Sequence, residues 1–140
     1  MTSKTAVLVS LDDYEKRAHQ LLDGNALDYY KSGAGDELTL NLNRKCFDKL
    51  RIRPRMMRDI ANRDMSCNIL GLNLSCPIAI APTAMQKMCH ESGEIANCKA
   101  AGNHNVLFIL STLSTSSVEQ LADACPNTHK WFQLYIYKDR

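Results

Sequence analysis

Three short apolar runs recur along the second half of the chain, at residues 77–81, 106–110 and 131–137. They are separated by patterns typical of helices, at residues 91–101 and 117–124. Parallel strands cannot be joined by a tight turn, and this spacing leaves room for the helix that their connection needs. The pattern therefore predicts an α/β fold in which successive βα units build a parallel sheet, the third unit being cut off after its strand.

The helix predicted at residues 117–124 carries its own boundary signals. Ser116 and Glu119 have the spacing of a capping box, in which each side chain bonds the backbone N–H of the other residue. Pro126 helps to end the helix, because proline cannot continue it. The apolar stripe that we expect to face the core comprises Val118, Leu121, Ala122 and Cys125.

The first third of the chain is predicted to be helical. Ser10 is placed to cap a first helix, and Asp36 is placed to cap a third after a short second one. Residues 49–58 favour an extended segment, and apolar stretches on both sides of Gly71 predict a hairpin. The expected organisation is one incomplete domain with a helical segment (about 1–48), an extended segment and hairpin (about 49–75) and the first βα units (about 76–140).

The composition narrows the class of protein. A chain of 140 residues that is 45% hydrophobic, with a net charge of +2, can bury a real core, which argues against disorder. Six cysteines without a CxxC pair or a secretory leader indicate free thiols in a reducing compartment. The short apolar stretch near the start, residues 6–9, is too brief for a signal peptide or a membrane span, so we expect no membrane association.

Two other kinds of site are not favoured. Cys89, His90 and Cys98 lack the spacing of a metal site, so no metal is expected. The basic residues at 51–58 are flanked by acidic ones and lack interleaved aromatic side chains, so no nucleic-acid partner is expected. We interpret them as a solvated face.

Polar and small residues follow all three predicted strands. Pro82, Thr83 and Ala84 follow the first strand, and Ser111 and Thr112 follow the second. In the third strand, alternation predicts that Gln133 and Tyr135 share one face. Because the active site of a βα barrel lies at the carboxyl ends of its strands, these residues predict one functional rim. Taken singly, each could be an ordinary turn, strand or core residue.

Five segments, in this order along the chain, resemble successive blocks of the glycolate-oxidase-like FMN-dependent 2-hydroxy-acid oxidases. They are DYYKSGAGDELTL (28–40), RPRMMRDI (53–60), APTAMQKM (81–88), TSSVEQLA (115–122) and WFQLYIYKDR (131–140). The resemblance implies the N-terminal part of a TIM (β/α)8 barrel, with about three of eight strands.

The resemblance also implies a cofactor, FMN, and the residues that hold it. Pro82, Thr83 and Ala84 would contact the flavin largely through backbone atoms. Ser111 and Gln133 would hydrogen-bond the isoalloxazine ring.

For the substrate, the resemblance implies that Tyr29 and Tyr135 bind the carboxylate and hydroxyl of a 2-hydroxy acid, because a phenol can donate a hydrogen bond to an anion. Leu113 stands where the family usually has an aromatic residue, often Trp, so it is the expected specificity residue and favours bulkier acids. The histidine base of the family is expected beyond Arg140, and no catalytic residue is expected within the chain.

The implied activity is oxidation of a 2-hydroxy acid, such as glycolate or a longer analogue, to a 2-oxo acid, with oxygen reduced to hydrogen peroxide. A peroxisomal homo-oligomer is implied for the complete protein. Two alternatives remain: a truncated non-catalytic product that binds a full-length subunit, and a flavin dehydrogenase of the same superfamily that uses another electron acceptor.

Overall fold

A computed structural model of the chain describes residues 7–139, which form two compact units that meet in sequence at Met57 and Arg58. The first unit is helical, as predicted. Its elements are α1 (Leu11–Leu21), α2 (Gly24–Lys31), α3 (Leu38–Lys45) and a 3-10 turn (Phe47–Lys49). None of the helices described is both long enough and apolar enough to span a bilayer.

The start of α1 is capped as the sequence predicts. The Asp13 N–H donates to the Ser10 hydroxyl at 3.2 Å, and the Ser10 N–H donates to the Asp13 carboxylate at 2.9 Å. These two reciprocal bonds form a capping box, and the bond from Ser10 helps to lower the pKa of Asp13.

The predicted cap of α3 is wrong. Glu37, not Asp36, occupies the capping position, and its backbone is left-handed with φ +57°. Its carboxylate accepts a hydrogen bond from the Gly33 N–H at 3.0 Å instead of one from the helix. The side chain therefore stabilises the preceding turn, and α3 begins without a side-chain cap.

The second unit contains a hairpin, a parallel sheet and two helices. The hairpin pairs β1 (Cys67–Ile69) with β2 (Leu72–Leu74) antiparallel. Leu70 and Gly71 between them both have positive φ, which is the backbone of a two-residue type I′ turn and confirms the predicted hairpin. The remaining elements are β3 (Ala79–Ile80), a 3-10 turn (Gln86–Met88), α4 (Gly93–Asn103), β4 (Leu107–Leu110), α5 (Val118–Ala124) and β5 (Lys130–Phe132).

The sheet is parallel with the strand order β3-β4-β5, which confirms the βα units that the spacing predicts. Alternate side chains of β4 point to opposite faces. Phe108 and Leu110 face α4 and α5, where they pack in a buried cluster with Cys98, Ala101, Leu121 and Cys125.

The predicted cap of α5 and part of its predicted apolar stripe are wrong. The cap of α5 is Ser117, whose hydroxyl accepts from the Gln120 N–H, because the neighbouring Ser116 hydroxyl bonds Glu94 instead. Of the predicted stripe on α5, Leu121 is buried but Val118 is half exposed.

The third strand is shorter than predicted. It ends at Phe132, opposite Leu110, which is the last residue of β4. The Gln133 N–H still donates to the Leu110 carbonyl, but among the described residues none pairs with residues 134–137, so residues 133–137 are not a strand and Gln133 and Tyr135 are not placed on one face by strand alternation.

Candidate functional site

The carboxyl ends of the three parallel strands meet at one edge of the sheet. Ile80 lies opposite Phe108, and Leu110 lies opposite Phe132. The loops that follow these strands therefore start side by side, and predicted site residues lie at the start of each. We call this edge the rim.

Gln133 is fixed at the rim by backbone atoms of the end of β4 and of the loop after it. Its N–H donates to the Leu110 carbonyl at 2.9 Å, and its side-chain oxygen accepts from the Thr112 N–H at 3.2 Å. The Thr112 hydroxyl in turn donates to the Gln133 carbonyl. Because the side-chain oxygen is held by the protein, the NH2 group of this half-buried amide is the part left to donate to a ligand.

Ser111 contributes a second donor. Its side chain is 4% exposed, and its hydroxyl oxygen accepts from the Leu113 N–H at 3.1 Å. Within residues 7–139 the hydroxyl proton has no acceptor, so it too is available to a ligand.

The loop after β3 joins the rim through Met85. The Met85 N–H donates to the Leu113 carbonyl at 3.0 Å, and the Met85 backbone is left-handed with φ +53°. Pro82 and Ala84 just before it are half-buried and small, while Thr83 is exposed. The structure thus brings residues 82–84, Ser111 and Gln133 to the same edge.

A buried carboxylate, Glu94, lies behind these loops and was not predicted from the sequence. It is fully buried at the start of α4. Oε1 accepts from the Gln86 N–H at 3.0 Å and the Thr115 N–H at 2.9 Å. The Ser116 hydroxyl donates to Oε2 at 2.9 Å, and the Thr115 hydroxyl lies 2.9 Å from Oε1 and 2.8 Å from Oε2.

The pKa of Glu94 shows which effect dominates there. Burial by itself would raise the pKa, but hydrogen bonds from the Thr115 N–H, its own N–H, the Thr115 hydroxyl and the Gln86 N–H outweigh burial and lower the pKa from 4.5 to about 2. The group is therefore an anion at neutral pH. In the sequence Glu94 looks like an ordinary acidic residue in the first turn of a helix, where a negative charge is favourable for the helix dipole. Only its hydrogen bonds with Thr115 distinguish it from such a residue.

The three remaining predicted residues have exposed side chains. Tyr135 is 44% exposed and its ring makes an edge contact with Tyr137. Tyr29 belongs to the first unit, on α2, where its ring makes a T-shaped contact with Tyr30. Leu113 is 54% exposed in the loop after β4.

The described cavities do not coincide with the rim. One of about 780 Å³ lies within the first unit and is lined by charged residues such as Glu15, Lys31 and Arg44. Another, of about 310 Å³, lies beside the turn before β5, between Lys99 and Thr128. Neither is lined by a predicted site residue.

Comparison with known proteins gives a family. The sequence pattern of the family described as FMN-dependent dehydrogenase matches residues 18–140. Three curated relatives are a rice glycolate oxidase 3 (Oryza sativa subsp. indica, 46% identical over 96% of this chain), the human 2-hydroxyacid oxidase 1 (44%, over 95%) and a peroxisomal (S)-2-hydroxyacid oxidase of Arabidopsis thaliana (43%, over 95%). The chain spans 36% of the length of each of them.

Solved structures give the same result. A mandelate oxidase bound to 3,3-difluoro-2-hydroxy-3-phenylpropionic acid has a TM-score of 0.89 and 36% identity, over 94% of this chain and 39% of that one. A chimera of (S)-mandelate dehydrogenase has a TM-score of 0.84 and 36% identity, over 89% of this chain and 35% of that one. The chain forms part of the TIM-barrel fold of these flavoproteins. It belongs to the FMN-dependent dehydrogenase family, and FMN is the cofactor that this membership indicates.

Proposed function

We propose that the chain is the N-terminal part of an FMN-dependent (S)-2-hydroxy-acid oxidase, which converts a 2-hydroxy acid into a 2-oxo acid and reduces oxygen to hydrogen peroxide. The observation that carries the proposal is the rim, where three consecutive parallel strands bring the loop at residues 82–84, Ser111 and Gln133 together. Membership of the FMN-dependent dehydrogenase family supports it. Because the chain spans about a third of its relatives, the activity is proposed for the complete protein.

The residues at the rim fit FMN. A flavin ring carries carbonyl oxygens and ring nitrogens that accept hydrogen bonds, and the rim offers the Ser111 hydroxyl and the Gln133 NH2 group as donors without acceptors in the described chain. The small residues Pro82 and Ala84 leave the backbone of their loop open to close approach. When bound, FMN supplies the two-electron redox chemistry, and the protein binds and orients it.

Two tyrosines are proposed to bind the substrate. Tyr29 and Tyr135 each carry a phenol that donates a hydrogen bond to an anion without adding a full charge, which suits the carboxylate and hydroxyl of a 2-hydroxy acid. Both are about half exposed in this chain. The base that removes the hydroxyl proton is proposed to be a histidine beyond Arg140.

Leu113 is proposed to set substrate size. It is 54% exposed at the rim, in the loop that follows β4. A leucine occupies less of a pocket wall than an aromatic ring, so a bulkier 2-hydroxy acid is the favoured substrate class. The similarity to a mandelate oxidase that binds a phenyl-substituted hydroxy acid supports this choice.

A flavin dehydrogenase is the second candidate. Similarity to the (S)-mandelate dehydrogenase chimera favours it, because that enzyme is named for a hydroxy acid and not for reaction with oxygen. The two functions differ in the electron acceptor and share the rim. For the complete protein we further propose a homo-oligomer in the peroxisome; the Arabidopsis relative is named as peroxisomal, which supports the location.

The test uses the complete protein that carries residues 1–140. The bound cofactor is released by heat and identified by its absorbance and fluorescence, and oxygen uptake and peroxide formation are then measured with glycolate, (S)-lactate and (S)-mandelate. Oxygen uptake with equimolar peroxide supports the oxidase. Reduction of an artificial electron acceptor without oxygen uptake indicates the dehydrogenase, and a protein that neither contains nor binds FMN overturns both.

A further inference from the structure

We propose that Glu94 is a positioning residue that clamps the loop after β3 to the loop after β4 and thereby holds the rim in the arrangement that receives the flavin. This inference rests on the proposed function for its purpose, but the clamp itself depends only on the hydrogen bonds of Glu94. Glu94 touches no predicted flavin-binding residue directly, so it acts through the loops that carry them.

One carboxylate accepts bonds from both loops. Its Oε1 accepts from the Gln86 N–H, in the loop after β3, and from the Thr115 N–H, in the loop after β4. A direct bond between the two loops, from the Lys87 N–H to the Thr115 hydroxyl at 3.2 Å, lies beside it. Since the donors belong to segments almost 30 residues apart, the carboxylate cross-links them.

A second layer connects the clamp to the rim. The Gln86 side chain, which is 7% exposed, donates from Nε2 to the Thr83 carbonyl at 3.2 Å. Its Oε1 accepts a hydrogen bond from Asn97, on the same helix as Glu94. The backbone of the proposed flavin loop is therefore tied to α4 through both the main chain and the side chain of Gln86.

The loop after β4 is tied in the same way. Ser116 donates from its hydroxyl to Glu94, and its N–H donates to the Ser114 hydroxyl at 3.0 Å. The Leu113 carbonyl in this loop accepts from Met85, the neighbour of Gln86. Ser111 and Leu113 thus lie in a segment that is held at both ends, by β4 and by Glu94.

The clamp needs an anion. Within residues 7–139 no lysine, arginine or histidine forms an ion pair with Glu94, so hydrogen-bond donors alone stabilise its charge. The low pKa of Glu94 agrees with this donor set. An ionised carboxylate is acceptor-only and can receive every one of these bonds, whereas an amide can receive them at only one of its two atoms.

The test compares Glu94→Ala, Glu94→Gln and Thr115→Val in the purified complete protein. Hydrogen exchange followed by mass spectrometry of short peptides measures the exchange rates of the Gln86 and Thr115 amides, and it does not require FMN. A fluorescence titration gives the FMN dissociation constant in parallel. Leu121→Ala is the matched control, because it removes a buried side chain from the same unit without touching either loop.

We expect Glu94→Ala to speed exchange at both amides about tenfold and to raise the FMN dissociation constant by about the same factor, as loss of charge-assisted bonds implies. Glu94→Gln keeps the Oε1 acceptor and should fall between wild type and Glu94→Ala. Thr115→Val keeps the backbone N–H and loses only the hydroxyl, so exchange at both amides should rise by a smaller factor. This variant also tests the clamp if Glu94→Ala does not fold. Leu121→Ala should lower the melting temperature and leave the FMN dissociation constant unchanged.

If the Gln86 and Thr115 amides exchange at the wild-type rate in both Glu94→Gln and Thr115→Val, the clamp is overturned. Faster exchange at both amides with an unchanged FMN dissociation constant overturns its role in positioning the flavin. If the wild-type protein binds no FMN, the proposed function fails, and the exchange rates alone still decide whether Glu94 clamps the loops.

Discussion

The side-chain oxygen of Gln133 accepts a hydrogen bond from the Thr112 N–H at 3.2 Å, which joins the loop after β4 to the end of β5. This bond gives the two ends of the Gln133 amide different roles. The oxygen stabilises the rim, and the NH2 group is free to donate to a ligand.

Replacement of Gln133 by Glu separates these two roles. The carboxylate still accepts from Thr112 but cannot donate, so we expect the fold to be kept and the FMN dissociation constant to rise about tenfold, the equivalent of one lost hydrogen bond. Fluorescence titration of the complete protein measures it. Gln20→Glu, the same change on the exposed side of α1, is the control. Equal affinities in wild type and Gln133→Glu would remove Gln133 from the flavin site.

Glu94 should make part of the stability dependent on pH. Its pKa is about 2 in the folded chain and 4.5 as an ordinary carboxyl, so the unfolded state takes up a proton first as the pH falls. The stabilisation is complete above pH 4.5 and is lost as the pH drops from 4.5 toward 2. Lys87 and His90, in and just after the neighbouring 3-10 turn, are exposed and form no ion pair with it in the described residues.

Melting temperatures of wild type and Glu94→Gln, measured by circular dichroism between pH 2 and 7, check this expectation. The difference in melting temperature between the two proteins should be largest above pH 4.5 and should shrink toward pH 2, because the carboxylate of the wild type titrates and the amide of the Glu94→Gln variant does not. Glu119→Gln, at an exposed carboxylate in the first turn of α5, should give a much smaller gap. A gap for Glu94→Gln that is constant with pH would contradict the low pKa.

Gly93 should not tolerate a side chain. Its φ is +41°, and an added Cβ would lie 2.7 Å from the Lys87 Cγ and 3.2 Å from the Lys87 N. We expect Gly93→Ala to lower the free energy of unfolding by about 1–3 kcal/mol, because the strained backbone and the contact both oppose the change. Gly24→Ala, with nothing within 4 Å, should change it by less than about 1 kcal/mol. Denaturant titrations that rank the two variants in the opposite order would refute this.

Leu113→Trp should change substrate preference. A larger side chain at the rim takes space from the substrate, so we expect kcat/KM for (S)-mandelate to fall at least about tenfold relative to glycolate. Steady-state kinetics of the complete protein gives the ratio. Val118→Trp, at a similarly exposed residue on α5, should leave the ratio unchanged. An unchanged ratio in Leu113→Trp would show that this residue does not line the substrate pocket.

The segment after β5 should make the 140-residue chain self-associate when it is produced alone. Leu134 and Ile136 are 73% and 88% exposed next to a strand edge that no described residue pairs. Size-exclusion chromatography with light scattering should show oligomers, and Leu134→Lys with Ile136→Lys should reduce them. Val9→Lys, an equally exposed position before α1, should not. A monodisperse wild-type monomer would be the contrary result.

Most of the rim could be predicted from the sequence. The spacing of apolar runs predicted the parallel strands, and the residues that follow those strands predicted which loops meet. Two of the predictions failed because of residues that are distant in the chain. Ser116 does not cap α5 because its hydroxyl bonds Glu94, and the third strand ends at Phe132 because β4 offers no partner beyond Leu110.

The sequence by itself determined the order of helices and strands, the family and the side chains at the rim, because periodicity, caps and turns depend on neighbouring residues. Only the tertiary structure decided that Glu94 is a buried anion and that the Gln133 oxygen is already bonded. Both depend on a contact between residues that lie 21 positions apart in the chain. No local pattern encodes such a pairing, since the same glutamate on an unpacked helix would simply be solvated.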